Sequence, residues 1–430
     1  MEIPKAEYPC IMVEVPASAS NVTVLPVPRL GSQRLQHRDL IRLYRNETLL
    51  ANSLEEKKQN SSKLSVMEAV IFRHFTHGQT DSARAFLAAW SAACSSTSPA
   101  TVHVPSGRFL LNRVAFQSPC KNNKINFRMF GTLVAPSYTV IGTSNQWILF
   151  NQVDGLSING GILDGQGTRL WDCKLAGKHC PLGAASIVFT KSKNLLINGL
   201  TSINSELAHM VINGCEGVTM QNIKISATDV SPNTVGIHVQ MSNNIAITQS
   251  TIKTGDDCIS IGPGMVNLWI EGVFCGPGHG ISIGSLGKTA LEPGVQNVTV
   301  TWTTISGTQN GLRIKTWGRE SSGFVKDVVF EHIVMENVDN PIVIDQNYCP
   351  YNRNCPGQHL GIKISNVKYN DIKGTSATPV AVKFDCSLRN PCSGITLQDI
   401  NLTYKNKAAL SSCTNAIGGA SGIVVPQSCL

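Results

Sequence analysis

The sequence predicts an all-β fold: a single-stranded right-handed parallel β-helix with a capping helix at its N-terminal end. Three observations predict it. From about residue 147 to about residue 404, short Ile-x-Ile or Ile-x-Val phrases recur, each followed by a second short strand and a Gly- or Asn-containing turn. Between His209 and Gly280 the first strands of successive units start roughly 22 to 27 residues apart, a solenoid period. No unit reads as carrying a helix between its strands, which argues against leucine-rich and doubly wound architectures.

Taken in order, residues 1–70 contain Pro, Ser, Asn and Arg with little periodicity and read as a poorly ordered N-terminal extension, with one helical stretch around residues 38–50. Residues 71–430 read as the β-helix domain. It opens with an amphipathic helix over residues 81–94, where Asp81 or Thr80 can act as N-cap and residues 83–89 are mostly strong helix formers. Strands are expected at 101–104, 109–111, 125–130 and 132–135. The repeat proper then runs through paired phrases that begin at Ser186, His209, Gly236, Cys258, Gly280, Gly311, Pro341 and Pro379. Each coil should stack on the last at about 4.8 Å, and the helix at 81–94 should cover the open end and block edge pairing.

Composition sets the setting. The chain has 430 residues, 42% hydrophobic and only 15% charged, which is globular and turn-rich rather than disordered. A formal net charge of +8 suits a polyanionic partner, whether nucleic acid, anionic membrane or acidic polysaccharide. No Lys/Arg run with interleaved aromatics occurs in the repeat, which argues against nucleic acid, and no run is long enough to span a membrane. Fourteen cysteines and the sequons at Asn297 and Asn401, with three more in the first 62 residues, point to an oxidising, secretory environment. None of the cysteine spacings reads as a zinc site; Cys349-x5-Cys355 and Cys386-x5-Cys392 read as disulfide-closed loops. Met1-Glu-Ile-Pro-Lys-Ala-Glu7 lacks a basic segment leading into an apolar one, so no signal peptide is read there. The expectation is that the functional product begins elsewhere.

Stacking turns sequence register into geometry. Asp257 stands two residues before Ile259, with Asp256 before it; His279 stands two before Ile281, and Val235 two before Ile237. Arg313 and Lys315 lie on the next strand, and Tyr348 follows the one after. Equivalent positions in adjacent coils sit side by side, so these residues should form one patch. Alone, Gly255-Asp-Asp reads as a turn, Gly278-His-Gly as a loop and Arg313-Ile-Lys as a solvated strand face. Together, in one register, they suit hydrolysis of an acidic sugar polymer. One carboxyl donates a proton to the leaving oxygen and another activates water. Arg and Lys hold a uronate, and the imidazole bonds a carboxylate or sugar hydroxyl. Asn213, Asn222 and Asn244 at turns read as structural ladders.

Several segments carry a specific resemblance: Leu163-Asp-Gly-Gln-Gly167, Ser231-Pro-Asn-Thr-Val-Gly-Ile-His238, Gly255-Asp-Asp-Cys258, Gly276-Pro-Gly-His-Gly-Ile-Ser-Ile283, Arg313-Ile-Lys315 and Asp345-Gln-Asn-Tyr-Cys349. Over residues 75–430 the chain resembles the plant polygalacturonases of glycoside hydrolase family 28. The resemblance implies a pectin-lyase-like β-helix and inverting hydrolysis of α-1,4-galacturonan (pectin). It implies no metal and no organic cofactor, and a secreted cell-wall location. It assigns Asp256 as general acid, Asp257 as a water-activating base, His279 as support for the acid, and Arg313, Lys315, Tyr348 and Asn233 as substrate-binding. It pairs Cys258 with Cys275, and suggests Cys349–Cys355, Cys386–Cys392 and Cys413–Cys429. The implied partner is pectin, with no nucleic acid or membrane partner, and a monomer is expected.

Two departures qualify the resemblance. The family pattern at 233–235 is Asn-Thr-Asp, and here it is Asn233-Thr234-Val235. The second base is lost, and loss of a negative neighbour should lower the pKa of Asp256 and weaken it as an acid. The alternative function is then a weak or inactive pectin-binding homologue. Near the start, the family's first strand and turn are replaced by Phe72-Arg-His-Phe-Thr-His-Gly78, so the first coil is expected to be malformed, with only Gly78-Gln-Thr-Asp81 onward fitting.

Overall fold

The computed structural model describes residues 12–14, 77–350, 355–357 and 360–430. Two continuous sheets wrap one elongated core. The first has 11 strands, from Val114–Gln117 and Gln146–Asn151 through Ile237–Gln240, Ile259–Ile261, Ile281–Leu286, Asn310–Thr316 and Asn340–Asp345 to Leu410–Thr414. Each pairs in parallel with the equivalent strand of the next coil. The second sheet has 20 strands and turns the corner between the other two faces, so long strands such as Val295–Ser306 and Phe324–Val338 serve both. This is the expected right-handed parallel β-helix.

The repeat explains the core. Ile237, Ile259, Ile281, Leu312 and Ile342 occupy one register row and point inward. All are at most 1% exposed. Period-2 alternation places the intervening residues, His238, Ser260, Ser282, Arg313 and Val343, on the outer face of the same sheet. Inward letters hold the solenoid, and outward letters are free for chemistry. Turns are carried by side-chain ladders: Asn222 Nδ2 donates to Asn198 at 2.9 Å, and Asn267 bridges Asn244 at 3.0 Å and Asn297 at 2.6 Å. Asn222 and Asn244 both adopt positive φ, as expected of asparagine at such turns.

The N-terminal end is capped by the helix Ala83–Ser95, which buries Phe86, Ala89, Trp90 and Ala93. The Trp90 ring packs against Phe116, Phe127 and Phe150, and its Nε1 donates to the Gln117 carbonyl at 3.0 Å. The cap position falls on Ser82, not on Asp81 or Thr80 as the sequence suggested. Asp81 still contributes, because its Oδ1 accepts the Ala83 N–H at 3.0 Å from one residue further out. The first coil is irregular: His77–Asp81 pairs with Arg108–Leu110 through a register shift. The expectations for residues 1–70 lie outside the described residues except at Met12–Glu14, which pairs antiparallel with Ala100–Val104. The three sequons of the first 62 residues also lie outside.

Two details correct the sequence reading. A helix does sit between strands, at Thr168–Leu175, inside the long connection from Leu156–Asp164 to Ala185–Thr190. It is anchored by Trp171, whose Nε1 donates to Ser205 O at 3.1 Å. The strands expected at 125–130 and 132–135 are one, Ile125–Val134, carrying a bulge.

Candidate active site

The turn leading into strand Ile259–Ile261 is built on buried hydroxyls. Thr234 Oγ1 lies 2.6 Å from Ser231 Oγ and 2.7 Å from Thr254 Oγ1, and Thr254 Oγ1 also donates to the Thr234 carbonyl. Gly236 N–H donates to Asp257 O at 2.9 Å, so residues 234–236 and 254–257 lie side by side in adjacent coils. The backbone frame at position 235 is therefore fixed by its neighbours, whatever side chain stands there.

Asp257 is buried, and both its oxygens are occupied. Oδ1 accepts from Ser282 Oγ at 2.7 Å and Oδ2 from Lys315 Nζ at 2.6 Å. Asp256 is more open. Its Oδ1 accepts the Asp257 N–H at 2.7 Å and faces His279 Nδ1 at 3.1 Å. Burial alone would raise the Asp256 pKa. The hydrogen bond and charge of His279, the Asp257 N–H and the Lys315 charge outweigh it and hold the carboxyl below its ordinary range. One ligating atom from each of Asp256, Asp257 and His279 lies within 4.8 Å of the others. Lys315 and Ser282 already satisfy the Asp257 end of that group, which makes it a poor cradle for a cation.

His279 is delivered by the turn Gly276-Pro-Gly-His-Gly. Gly280 there has φ +86°, and a Cβ on it would run into the Asn310 carbonyl of the next coil, so glycine is required. His279 N–H donates to Asp256 O at 2.8 Å, which ties that turn to the acidic one.

Beyond the carboxylates, Arg313 Nη2 donates to Asp345 Oδ2 at 3.2 Å. The Tyr348 ring lies 5.0 Å from the Arg313 guanidinium and 5.7 Å from Lys315 Nζ. The sequence-assigned residues Asp256, Asp257, His279, Arg313, Lys315 and Tyr348 thus meet in one patch. Asn233 is exposed, with φ 59°. Val235 is half-buried and packs against an apolar cluster that includes Ala185, Val188 and Ala208. Sequence reasoning missed Ser282, which orients Asp257, Asp345, which holds Arg313, and His238. His238 sits in the outward row with Ser260 and Ser282, bonds Ser260 Oγ and Gln240 Oε1 at 3.1 Å each, and has its pKa lowered by burial. The periodic pattern could have found it, because it occupies the outward position next to Ile237.

Six disulfides close among the described residues. The four suggested pairs Cys258–Cys275, Cys349–Cys355, Cys386–Cys392 and Cys413–Cys429 all form. Cys94–Cys120 and Cys173–Cys180 are additional, and Cys215 is buried and free. No helix among the described residues is long and apolar enough to cross a membrane.

Comparison with known proteins bears on the family and the fold. Glycosyl hydrolases family 28 matches residues 94–425. A polygalacturonase of Prunus persica is 60% identical over 355 residues, covering 82% of this chain and 90% of the relative. An exopolygalacturonase of Platanus acerifolia is 43% identical, covering 81% and 94%. Among solved structures, the endo-xylogalacturonan hydrolase from Aspergillus tubingensis superposes with a TM-score of 0.68 at 25% identity, over 80% of this chain and 97% of that one. The polygalacturonase from Erwinia carotovora shares the fold, with a TM-score of 0.63 at 24% identity over 80% and 94%.

Proposed function

The chain belongs to glycosyl hydrolases family 28, and from that premise we propose that it acts on the α-1,4-galacturonan of plant cell walls as a polygalacturonase whose catalysis is impaired at Val235. The observation that carries this reading is the joined constellation of Asp256 with His279 and Asp257 with Lys315 and Ser282 on the outer face of one sheet. In the proposed reaction Asp256 gives its proton to the glycosidic oxygen as the bond to the anomeric carbon breaks. A water attacks that carbon from the opposite face and passes its proton to Asp257, which inverts the anomeric configuration. Arg313 and Lys315 hold the uronate carboxylate, and Tyr348 and Asn233 border the sugar.

The impairment follows from room and charge. Inverting enzymes generally hold their two carboxyl groups about 6.5–9.5 Å apart so that a water fits between catalyst and ring. Asp256 and Asp257 are chain neighbours with ligating oxygens within 4.8 Å, so the space for that water must lie beside the pair. On the preceding coil that space meets Val235, which can neither orient water nor accept its proton. Asp256 is held ionised more strongly than an isolated aspartate, which reduces the fraction ready to donate. A second reading, a pectin-binding protein without turnover, is favoured by this same residue.

Reducing-end release from polygalacturonate, with the product anomer followed by proton NMR, tests both. Val235→Asp should raise the rate by roughly 10²–10⁴. Because it adds a negative neighbour, it should also move the alkaline limb of the pH–rate profile upward. Equal and robust rates in the two proteins would rule out impairment. No turnover in either, with polymer still bound, would select the second reading.

A further inference from the structure

Most buried apolar residues among the described ones fall into two separate clusters. The larger fills the solenoid. The smaller lies outside it, on the outer face of the 11-stranded sheet: Ala185, Val188 and Ala208, with Leu149, Val211 and Val235 packed against them. This second cluster is continuous with the candidate site. Leu149, Val188 and Val211 share one register row with His238, Ser260, Ser282 and Arg313. The row beyond them is Asn151, Thr190, Asn213 and Gln240.

No charged side chain stands in these rows before Asp257. The pattern reverses past the pair, where Arg313, Lys315 and, further along, Lys383 face outward. The loops entering the uncharged strands carry further apolar groups: Val140, Leu182 and Val230 are 61%, 58% and 62% exposed. The cations nearest these rows stand at their margins, with Lys288 close enough for its charge to act on His238. Lys174 Nζ donates to the Leu182 carbonyl at 2.7 Å, and Lys191 stands exposed in the turn beyond Thr190.

A polymer that crosses the sheet at the acidic pair must lie over these uncharged rows on one side. A free uronate carboxylate there would lose water without gaining a cation. A methyl-esterified residue would carry no charge and would bury its methyl group on the half-buried Leu149 and Val211. We propose that the rows preceding Asp256 and Asp257 bind methyl-esterified galacturonate, while Arg313 and Lys315 take a free uronate. The ligand of this chain is then partly esterified galacturonan. The proposal rests on the galacturonan reading above.

Titration calorimetry on the whole protein in an Asp256→Asn background, which prevents turnover, tests it. The probes are galacturonans of matched length, one fully de-esterified and one about half methyl-esterified. One buried methyl group corresponds to about a fourfold gain in affinity, so the half-esterified polymer should bind at least about fourfold tighter. Val211→Lys and Leu149→Lys each place an ammonium on the apolar row and should reverse the order of the two polymers. Val211→Thr controls for loss of packing alone. Equal or tighter binding of the de-esterified polymer by the parent, or an unchanged ratio in both lysine variants, would overturn the proposal. Binding of neither polymer would overturn the galacturonan reading and this proposal with it.

Discussion

Lys315 and Asp257 form an ion pair that solvent hardly reaches, with side chains 10% and 3% exposed. In such a pair the loss of one partner is costly, because the remaining charge stays buried without compensation. Lys315→Met should therefore cost on the order of 3–5 kcal/mol in urea unfolding, in addition to weakening any uronate binding. Lys315→Met with Asp257→Leu should recover much of the stability but none of the activity. An unchanged urea midpoint in the single variant would show the pair to be better solvated than its geometry indicates. Most of this site was legible in the sequence, because Asp257, His279 and Val235 share a fixed offset from an Ile-x-Ile strand. Ser282 was not legible. Within Ile281-Ser-Ile it reads as a small outward filler, and only the 2.7 Å contact to Asp257 gives it a role.

At the scale of elements, Cys258 and Cys275 join the start of one strand of the cleft sheet to the end of the last strand in the same coil. Both are fully buried. The bond lies directly behind Asp257 and just before the turn that carries His279. It spans a sequence separation of 17, for which chain entropy suggests about 3 kcal/mol. Replacing both cysteines with alanine should lower the urea midpoint accordingly and depress activity beyond what stability explains, since both turns lose a shared anchor. Removal of Cys173–Cys180, which closes only a 7-residue separation on the outer loop, should leave the pH–rate profile in place. The spacing of Cys349 and Cys355 made that loop legible in the sequence. The pair Cys94–Cys120 was not, because it joins the capping helix to a coil it meets only after folding. The helix Thr168–Leu175 was hidden for a similar reason. Its apolar stripe is short, and Leu170 and Trp171 are its only fully buried members.

For the whole molecule, two buried titratable groups outside the acidic pair set opposing pH limits. Burial pushes the Glu206 carboxyl up to about 7, against the lowering effects of the Ala184 N–H and Lys174. Burial pushes the His209 imidazole down to about 3, although Ser202 bonds its Nδ1. A raised carboxyl stabilises the fold fully below its unfolded value, and that stability is lost as pH rises through about 7. A depressed imidazole costs stability as pH falls from its unfolded value toward the folded one, because the unfolded chain takes up the proton. The two contributions nearly cancel between about pH 4.5 and 6.5, so the melting temperature should be nearly flat there, fall below about pH 4.5 and fall slightly between about pH 6.5 and 7. Glu206→Gln removes the opposing contribution, so the variant's stability should instead climb between about pH 4.5 and 6.5, by on the order of 3 kcal/mol. A parent melting temperature that climbs from about pH 5 to 6.5 would show that Glu206 is solvated in the folded state.

The separation of inward and outward rows has a consequence for how such a protein changes over time. Val235 stands in a backbone frame fixed by Thr234, Thr254 and Gly236, and points away from the main core. An exchange there leaves the solenoid core untouched and meets only the smaller outer cluster, so outward chemistry and the main core rest on different residues. A lineage of this architecture can then vary its outward chemistry through single substitutions while its scaffold is inherited unchanged.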